Sequence, residues 1–303
     1  MPAKISAGES SRSGRPIRQI APAVSTMLGE GVRWCAERAE LCWVDIKAPA
    51  LFSWHYPSGD VQRTPLPAQI GSFAFCSDGK FLVALRSGVH LLECASGKLT
   101  LLAAPEAQVP GNRLNDGRAD ANGDFWCGSM DDAETARTGW LWKIGGDGQV
   151  QRVDGPFGLC NGLDWAPDRG AMYFIDSTDR TIWVYEGNSR EALGSKRVFC
   201  RTPPALGWPD GLVVDAAGDL FVAMWGGSSV LRIKPNGETR EQLPVPVPQP
   251  TCCAFGGADL STLFITTARK GLSSQELAAA PLSGGLFAIE GVSTGRPEHM
   301  FKL

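Results

Sequence analysis

The sequence predicts an all-β protein, a six-bladed β-propeller of four-stranded antiparallel blades. Three observations predict it. Six short runs rich in aromatic and β-branched residues recur along the 303 residues: "ELCWVDIK" (40–47), "KFLVALRSG" (80–88), "DFWCGSMDD" (124–132), "AMYFIDSTD" (171–179), "DLFVAMWGG" (219–227) and "TLFITTARKG" (262–271). With Trp43, Leu82, Trp126, Phe174, Phe221 and Phe264 taken as equivalent, the separations are 39, 44, 48, 47 and 43 residues, the period of propeller blades. Each run leads through a turn into another strand-like segment, and no window of 11 or more residues carries a persuasive helical period.

The elements follow in chain order. In the first repeat "ELCWVDIK" leads into "LFSWHYPSG". In the second, "FAFCSDGKF" reads as strand, turn, strand and "GVHLLECASGK" as the next arm. The third joins "GRADANGDF" to "GWLWKIGGDG", the fourth "GLDWAPDRGAM" to "RTIWVYEGN", the fifth "GLVVDAAGDL" to "SVLRIKPNG" and the sixth "TLFITTARKG" to "GGLFAIEG". One more segment between repeats completes each blade at its outer edge. Six such sheets leave edges and apolar faces bare unless they pack radially. Closing the ring needs a tie, and a strand near Ile17 to Ala23 is expected to pair into the blade of the C-terminal repeat. Residues 1–14 are expected to be a mobile tail and 15–303 a single domain. "SSQELAAA" (273–280) has room for a turn or two of helix.

Composition agrees and excludes several classes. Gly 36 and Pro 21 supply the tight turns of such a fold, and 43% hydrophobic residues supply its core. A net charge of -3 with no basic run gives no footprint for nucleic acid or anionic lipid. The first twenty residues hold no apolar stretch of signal-peptide length, and no stretch reaches membrane-spanning length, so a cytoplasmic location is expected. Nine cysteines without a C-x-x-C pair signal neither a disulfide framework nor a zinc knuckle, and adjacent Cys252 and Cys253 are the one pair of interest. His55, His90 and His299 lie far apart without ligand spacing.

The chemistry-bearing signal is a doubled turn motif. In "WPDGLVVDAAGDLFVAMWGG" (208–227) the hairpin is made at Ala217-Gly218, yet Asp210-Gly211 precedes the same strand. Asn115-Asp116-Gly117 stands likewise before Asn122-Gly123, and Asn161-Gly162 before Asp168-Arg169-Gly170. Asn115 and Asp210 lie 11 residues before Trp126 and Phe221; Asn161 and Glu30 lie 13 before Phe174 and Trp43. Each pair alone is an ordinary tight-turn signal, and Glu30 alone an ordinary loop acid. Their recurrence at one phase puts four oxygen-bearing side chains at the start of innermost strands, where they converge on the propeller axis. Two carboxylates with carboxamide oxygens, and no thiol or imidazole, form a hard ligand set for one divalent ion. Trp34, Trp208 and Trp225 either line the mouth of the axial site or pack between blades, the second being the usual role of such residues.

With "LGEGVRW", "RLNDGRADANGDFWCGSM", "NGLDWAPDRGAMYFIDS", "WPDGLVVDAAGDLFVAMWGG" and "LFITTARKGL" in hand, the sequence resembles the senescence marker protein, gluconolactonase and luciferin-regenerating enzyme family, on its bacterial sugar-lactonase branch. These stretches run from residue 28 to 272. The resemblance implies a divalent metal (Ca, Mg, Mn, Fe(II) or Zn) held by Glu30, Asn161 and Asp210. It implies Arg113 and Asn115 as substrate contacts, with Asp132 or Glu134 of "GSMDDAETA" binding sugar hydroxyls. Val32 departs from the family's proline after Glu-Gly, and Ser129 from threonine in its G-T-M motif; neither change removes a ligand.

The activity so implied is hydrolysis of an aldonolactone, such as xylono- or gluconolactone, to the open-chain aldonate, with Asp210 as both ligand and general base. The expected partner is a small-molecule sugar lactone, with no nucleic acid, membrane or obligate protein partner. No G-x-S-x-G elbow is present, which disfavours a serine triad. Two alternatives stand beside it: a noncatalytic propeller that scaffolds protein partners, and a calcium-dependent esterase or phosphotriesterase with a more apolar pocket.

Overall fold

The computed structural model describes residues 14–168, 170–187 and 193–303, together with the backbone of residues 3–4 and 11–12. Six antiparallel sheets stand in a ring. Blade 1 is built from Gly29–Cys35, Glu40–Asp45, Ala50–His55 and Val61–Pro65; blade 2 from Ile70–Phe75, Phe81–Leu85, Gly88–Glu93 and Lys98–Ala103. Blade 3 is built from Asn112–Ala119, Phe125–Asp131, Gly139–Ile144 and Val150–Phe157; blade 4 from Cys160–Trp165, Ala171–Asp176, Thr181–Glu186 and Lys196–Arg201. Blade 5 holds Trp208–Val214, Leu220–Trp225, Ser229–Ile233 and Thr239–Pro244; blade 6 holds Pro250–Gly256, Thr262–Thr267 and Leu286–Glu290.

The N-terminal strand Ile17–Ile20 supplies the outer strand of blade 6, pairing antiparallel with Leu286–Glu290 so that Ile20 meets Leu286 and Ile17 meets Ile289. The ring is tied as expected. Residues 1–14 lie for the most part outside the described residues. Ala3–Lys4 runs parallel to the outer strand of blade 4, and Ser11–Arg12 to that of blade 5. The short helix is Ser274–Ala279, opened by a capping box between Ser273 and Glu276.

Each hydrophobic cluster fills one seam between neighbouring blades, and six seams close the circle. Both faces of every inner and second strand are therefore buried, so these strands read as nearly continuous apolar runs. The adjacent Cys252 and Cys253 point to opposite faces, into the seam with blade 1 and the seam with blade 5, and all nine cysteines are free thiols. The aromatic alignment of the repeats needs one correction. Trp43 and Phe174 face the preceding blade, whereas Leu82, Trp126, Phe221 and Phe264 face the following one, so the set mixes two faces and slips by one residue in two blades.

The inner strands touch their neighbours all the way round the axis. All six carry a one-residue bulge near their start: after Glu30, Ile70, Leu114, Cys160, Pro209 and Pro250 the pairing register shifts against the second strand. The bulge explains the doubled motif. Gly162 adopts no left-handed backbone and makes no hairpin turn; a Cβ there would stand 2.4 Å from the Leu212 amide and 2.8 Å from the Asp210 carbonyl. At Gly71 it would stand 2.6 Å from the Asn115 Cα. The glycines let adjoining bulges pack against each other, which brings the side chains beside them to the axis.

The far end of the channel is sealed by the C-terminal segment. Thr294 accepts from the Ala216 amide, Gly295 donates to Leu260 and Lys302 to Gly123, all in hairpins between first and second strands, and Phe301 donates to Phe75 at the end of the first strand of blade 2. The segment inserts Glu298 between the buried guanidiniums of Arg33 (3.3 Å) and Arg118 (3.0 Å).

Candidate functional site

At the opposite end, the starts of the inner strands and the turns after the second strands enclose a cavity of about 400 Å³, within the range of small-molecule sites. Glu30, Asn115, Asn161 and Asp210 all line it, one from each of blades 1, 3, 4 and 5. Each is buried, and each lies in or directly beside its strand's bulge. Arg113 joins them: its Nη1 donates to Asn115 Oδ1 at 2.5 Å, and its Nε to Asp132 Oδ1 at 2.9 Å.

The two candidate acceptors after "GSM" separate. Glu134 lines the cavity, with a left-handed backbone (φ 58°) held by the turn that Asp131 caps through the Thr135 and Ala136 amides. Asp132 is not part of the lining. It stands behind Arg113, paired also with Arg86 at 2.7 Å and Lys47 at 3.4 Å, and so acts on the site through the guanidinium it orients. The tryptophans divide as well. Trp34 packs in the seam between blades 6 and 1, stacked with Phe264. Trp208 and Trp225 line the cavity, and Trp208 is 46% exposed with the Arg180 guanidinium 4.1 Å from its ring.

Three polar lining residues had no assigned role in the sequence: Ser177, Thr178 and Lys270. All follow second strands, in blades 4 and 6. A propeller places every such turn at the same end as the starts of its inner strands, so the repeat alignment itself pointed to "STD" and "ARKG".

The electrostatics are those of two crowded carboxylates. Burial, then the charge of Asp116, pushes Glu30 up to about 8. Burial, then the facing charge of Glu30, raises Asp210 well above the usual carboxylate range. Among the described residues neither carboxylate forms an ion pair, and Glu30 accepts only the adjacent Gly31 amide, at 3.1 Å. Two crowded carboxyl groups without an ion-pair partner, beside two carboxamide oxygens, make a donor set that, once ionised, fits a hard divalent cation. No three His, Cys, Asp or Glu side chains gather for a metal among the described residues; the carboxamides that line the cavity beside the two carboxyl groups are those of Asn115 and Asn161.

A family model described as the SMP-30/gluconolactonase/LRE-like region matches residues 28–269. The chain belongs to this family. It is 35% identical over 280 residues to a 6-deoxy-6-sulfogluconolactonase of Pseudomonas putida, covering 91% of this chain and 95% of that protein. It is 35% identical over 277 residues to an L-arabinolactonase of Azospirillum brasilense, covering 89% and 91%. A solved structure of a calcium-binding protein, regucalcin, from Agrobacterium tumefaciens superposes with a TM-score of 0.90 at 31% identity, over 94% of this chain and 97% of that one. Family members thus share both the ring and most of its length with this chain. No helix among the described residues is long and apolar enough to cross a membrane.

Proposed function

We propose that this protein hydrolyses a sugar-acid lactone to the open-chain aldonate, using one divalent cation held by Glu30, Asn161 and Asp210. The observation that carries the proposal is the convergence of these three oxygen donors, from three blades, on one small buried cavity beside Arg113 and Asn115. The lactonase names of the relatives support the substrate class. A noncatalytic scaffold has no use for two buried carboxylates without ion-pair partners on one pocket.

A bound cation would supply Lewis-acid polarisation of the lactone carbonyl and a lowered pKa for water. The chain's own groups do the rest. Asp210, ionised, takes the proton of the attacking water as its oxygen bonds to the carbonyl carbon. It returns that proton to the ring oxygen as the ring C–O bond breaks, leaving a hydroxyl and a carboxylic acid that ionises in solution. The Arg113 guanidinium holds lactone oxygens while charge develops on them, and Asn115, whose two N–H groups are already given to the Cys160 carbonyl and Asn161, serves by holding that guanidinium through its oxygen. Trp208 and Trp225 flank the sugar at the mouth.

The test is to strip divalent ions with a chelator, restore them singly, and follow acid release from a panel of aldonolactones and aryl esters. Restored activity on aldonolactones, lost in Asp210→Ala, is expected. Turnover that survives both chelation and Asp210→Ala overturns the proposal; a preference for aryl esters points to the esterase alternative.

A further inference from the structure

Four hydrogen bonds run head to tail across blades 3, 4 and 5. Arg113 Nη1 donates to Asn115 Oδ1 at 2.5 Å, and Asn115 Nδ2 to Asn161 Oδ1 at 2.8 Å. Asn161 Nδ2 donates to Ser177 Oγ at 2.7 Å, and Ser177 Oγ to the Pro209 carbonyl at 2.5 Å. All four side chains are buried. A guanidinium only donates and a backbone carbonyl only accepts, so the two ends fix the direction of every link between them. Asn115 Nδ2 also donates to the Cys160 carbonyl at 2.8 Å, which excludes the reversed amide.

We propose that Ser177 is a positioning residue that locks Asn161 oxygen-first toward the cation and ties it to the carbonyl directly before Asp210. The inference rests on the ligand set proposed above. Asn161 is the one donor of that set that can turn the wrong way. A carboxylate offers oxygen in either orientation, whereas a carboxamide rotated by half a turn offers two N–H groups to a cation. The Asn161 oxygen has two lone pairs, one taken by Asn115 and one left for the ion. Without the Ser177 hydroxyl the Asn161 N–H loses its acceptor, and the Pro209 carbonyl loses its donor one residue from Asp210.

The experiment measures Mn²⁺ and, separately, Ca²⁺ binding to the metal-stripped full chain by titration calorimetry. It compares wild type, Ser177→Ala and Ser177→Thr, and repeats Ser177→Ala in an Asn161→Asp background. Ser177→Ala is expected to weaken binding about 10–100-fold, as loss of a partner that orients a metal ligand does, while Ser177→Thr, which keeps the hydroxyl, restores most of it. In the Asn161→Asp background, where both terminal atoms are oxygens, Ser177→Ala should cost clearly less affinity, only what the released Pro209 carbonyl contributes. Wild-type affinity in Ser177→Ala, or an equal loss in both backgrounds, overturns the positioning role and leaves the ligand set standing. A wild-type protein that binds neither ion overturns the ligand set and this inference together.

Discussion

Lys270 and Glu134 meet at 2.6 Å across the mouth of the cavity, joining the turn after the second strand of blade 6 to the corresponding turn of blade 3, the blade directly opposite. Both side chains are partly exposed, at 34% and 43%, and both line the cavity. An ion pair so exposed contributes no more than about 1 kcal/mol to stability. For the proposed sugar-lactone substrate its position suggests a different use, since hydroxyls entering the cavity would meet a carboxylate and an ammonium already facing each other. Lys270→Ala is therefore expected to leave the urea midpoint nearly unchanged and to raise KM for an aldonolactone with a smaller effect on kcat. Steady-state kinetics beside a denaturation curve checks this, and an unchanged KM removes the pair from substrate binding.

Asp132 and Glu134 should behave as different kinds of residue. Glu134→Gln changes a group that faces the cavity, so its effect belongs in KM. Asp132→Asn removes the charge that holds Arg113 by its Nε, together with the partner of Arg86 and Lys47. The guanidinium then loses its fixed aim at developing charge, and kcat should fall by about tenfold or more. Kinetics of the two variants on one lactone would separate the roles; a pure KM effect in Asp132→Asn contradicts the assignment of Asp132 as the support of Arg113.

Much of the ring was legible because each blade repeats the same demand for short, doubly buried strands. The same property hid the face of each residue. Where both faces are buried, aromatic rings fall on either one, and Trp43 aligns with Trp126 although the two point to opposite neighbours. Bulges leave no composition of their own, so Asn-Gly and Asp-Gly looked like turns when their glycines serve close approach between strands. The positions that line the cavity were nevertheless readable, since oxygen side chains recurring beside glycine at one phase have no role in hairpins. Ser177 and Lys270 escaped because a serine or lysine in a turn is the commonest of surface residues. Only the common end of the propeller to which those turns belong marks them.

Glu298 is predicted to hold the sealed end together. Arg33 and Arg118 have side chains only 3% and 4% exposed, and Arg118 also pairs with Asp164 at 2.5 Å while Arg33 reaches Asp116 at 3.4 Å. Removing Glu298 leaves each guanidinium with one carboxylate and takes away a charge-assisted contact to each, at a cost of about 1.5–3 kcal/mol. Glu298→Ala should lose stability on this scale in urea, whereas Glu298→Gln, which keeps an acceptor oxygen, should lose less. Because Asp116 also bears on Glu30, the same variant tests whether the seal is felt at the site: cation affinity should change far less than stability. An unaltered midpoint for Glu298→Ala shows that the segment merely lies over the channel.

The stability of the metal-free protein should fall as pH rises, the reverse of the usual acid lability. Glu30 has an ordinary pKa of 4.5 when unfolded and about 8 in the folded chain, because burial and then the charge of Asp116 penalise its ionised form. Asp210 is shifted in the same direction, by burial and by Glu30. Between pH 4.5 and 8 the folded state thus keeps protons that the unfolded state has released, so the slope of unfolding free energy against pH is negative there. The stabilising contribution is complete below the unfolded value and lost as pH passes through the folded one. A divalent cation at the proposed site would take the place of those protons, so its affinity should climb over the same interval and its binding should release protons. Thermal melts of chelator-treated protein at pH 5, 6.5 and 8, repeated with saturating Mn²⁺, check both signs: the melting temperature declines without the ion and holds or rises with it. Glu30→Gln should flatten the decline, since the amide carries no proton to lose. A metal-free protein that grows more stable across this interval would mean that the two carboxylates are not crowded together at the axis as neighbouring, unpaired charges.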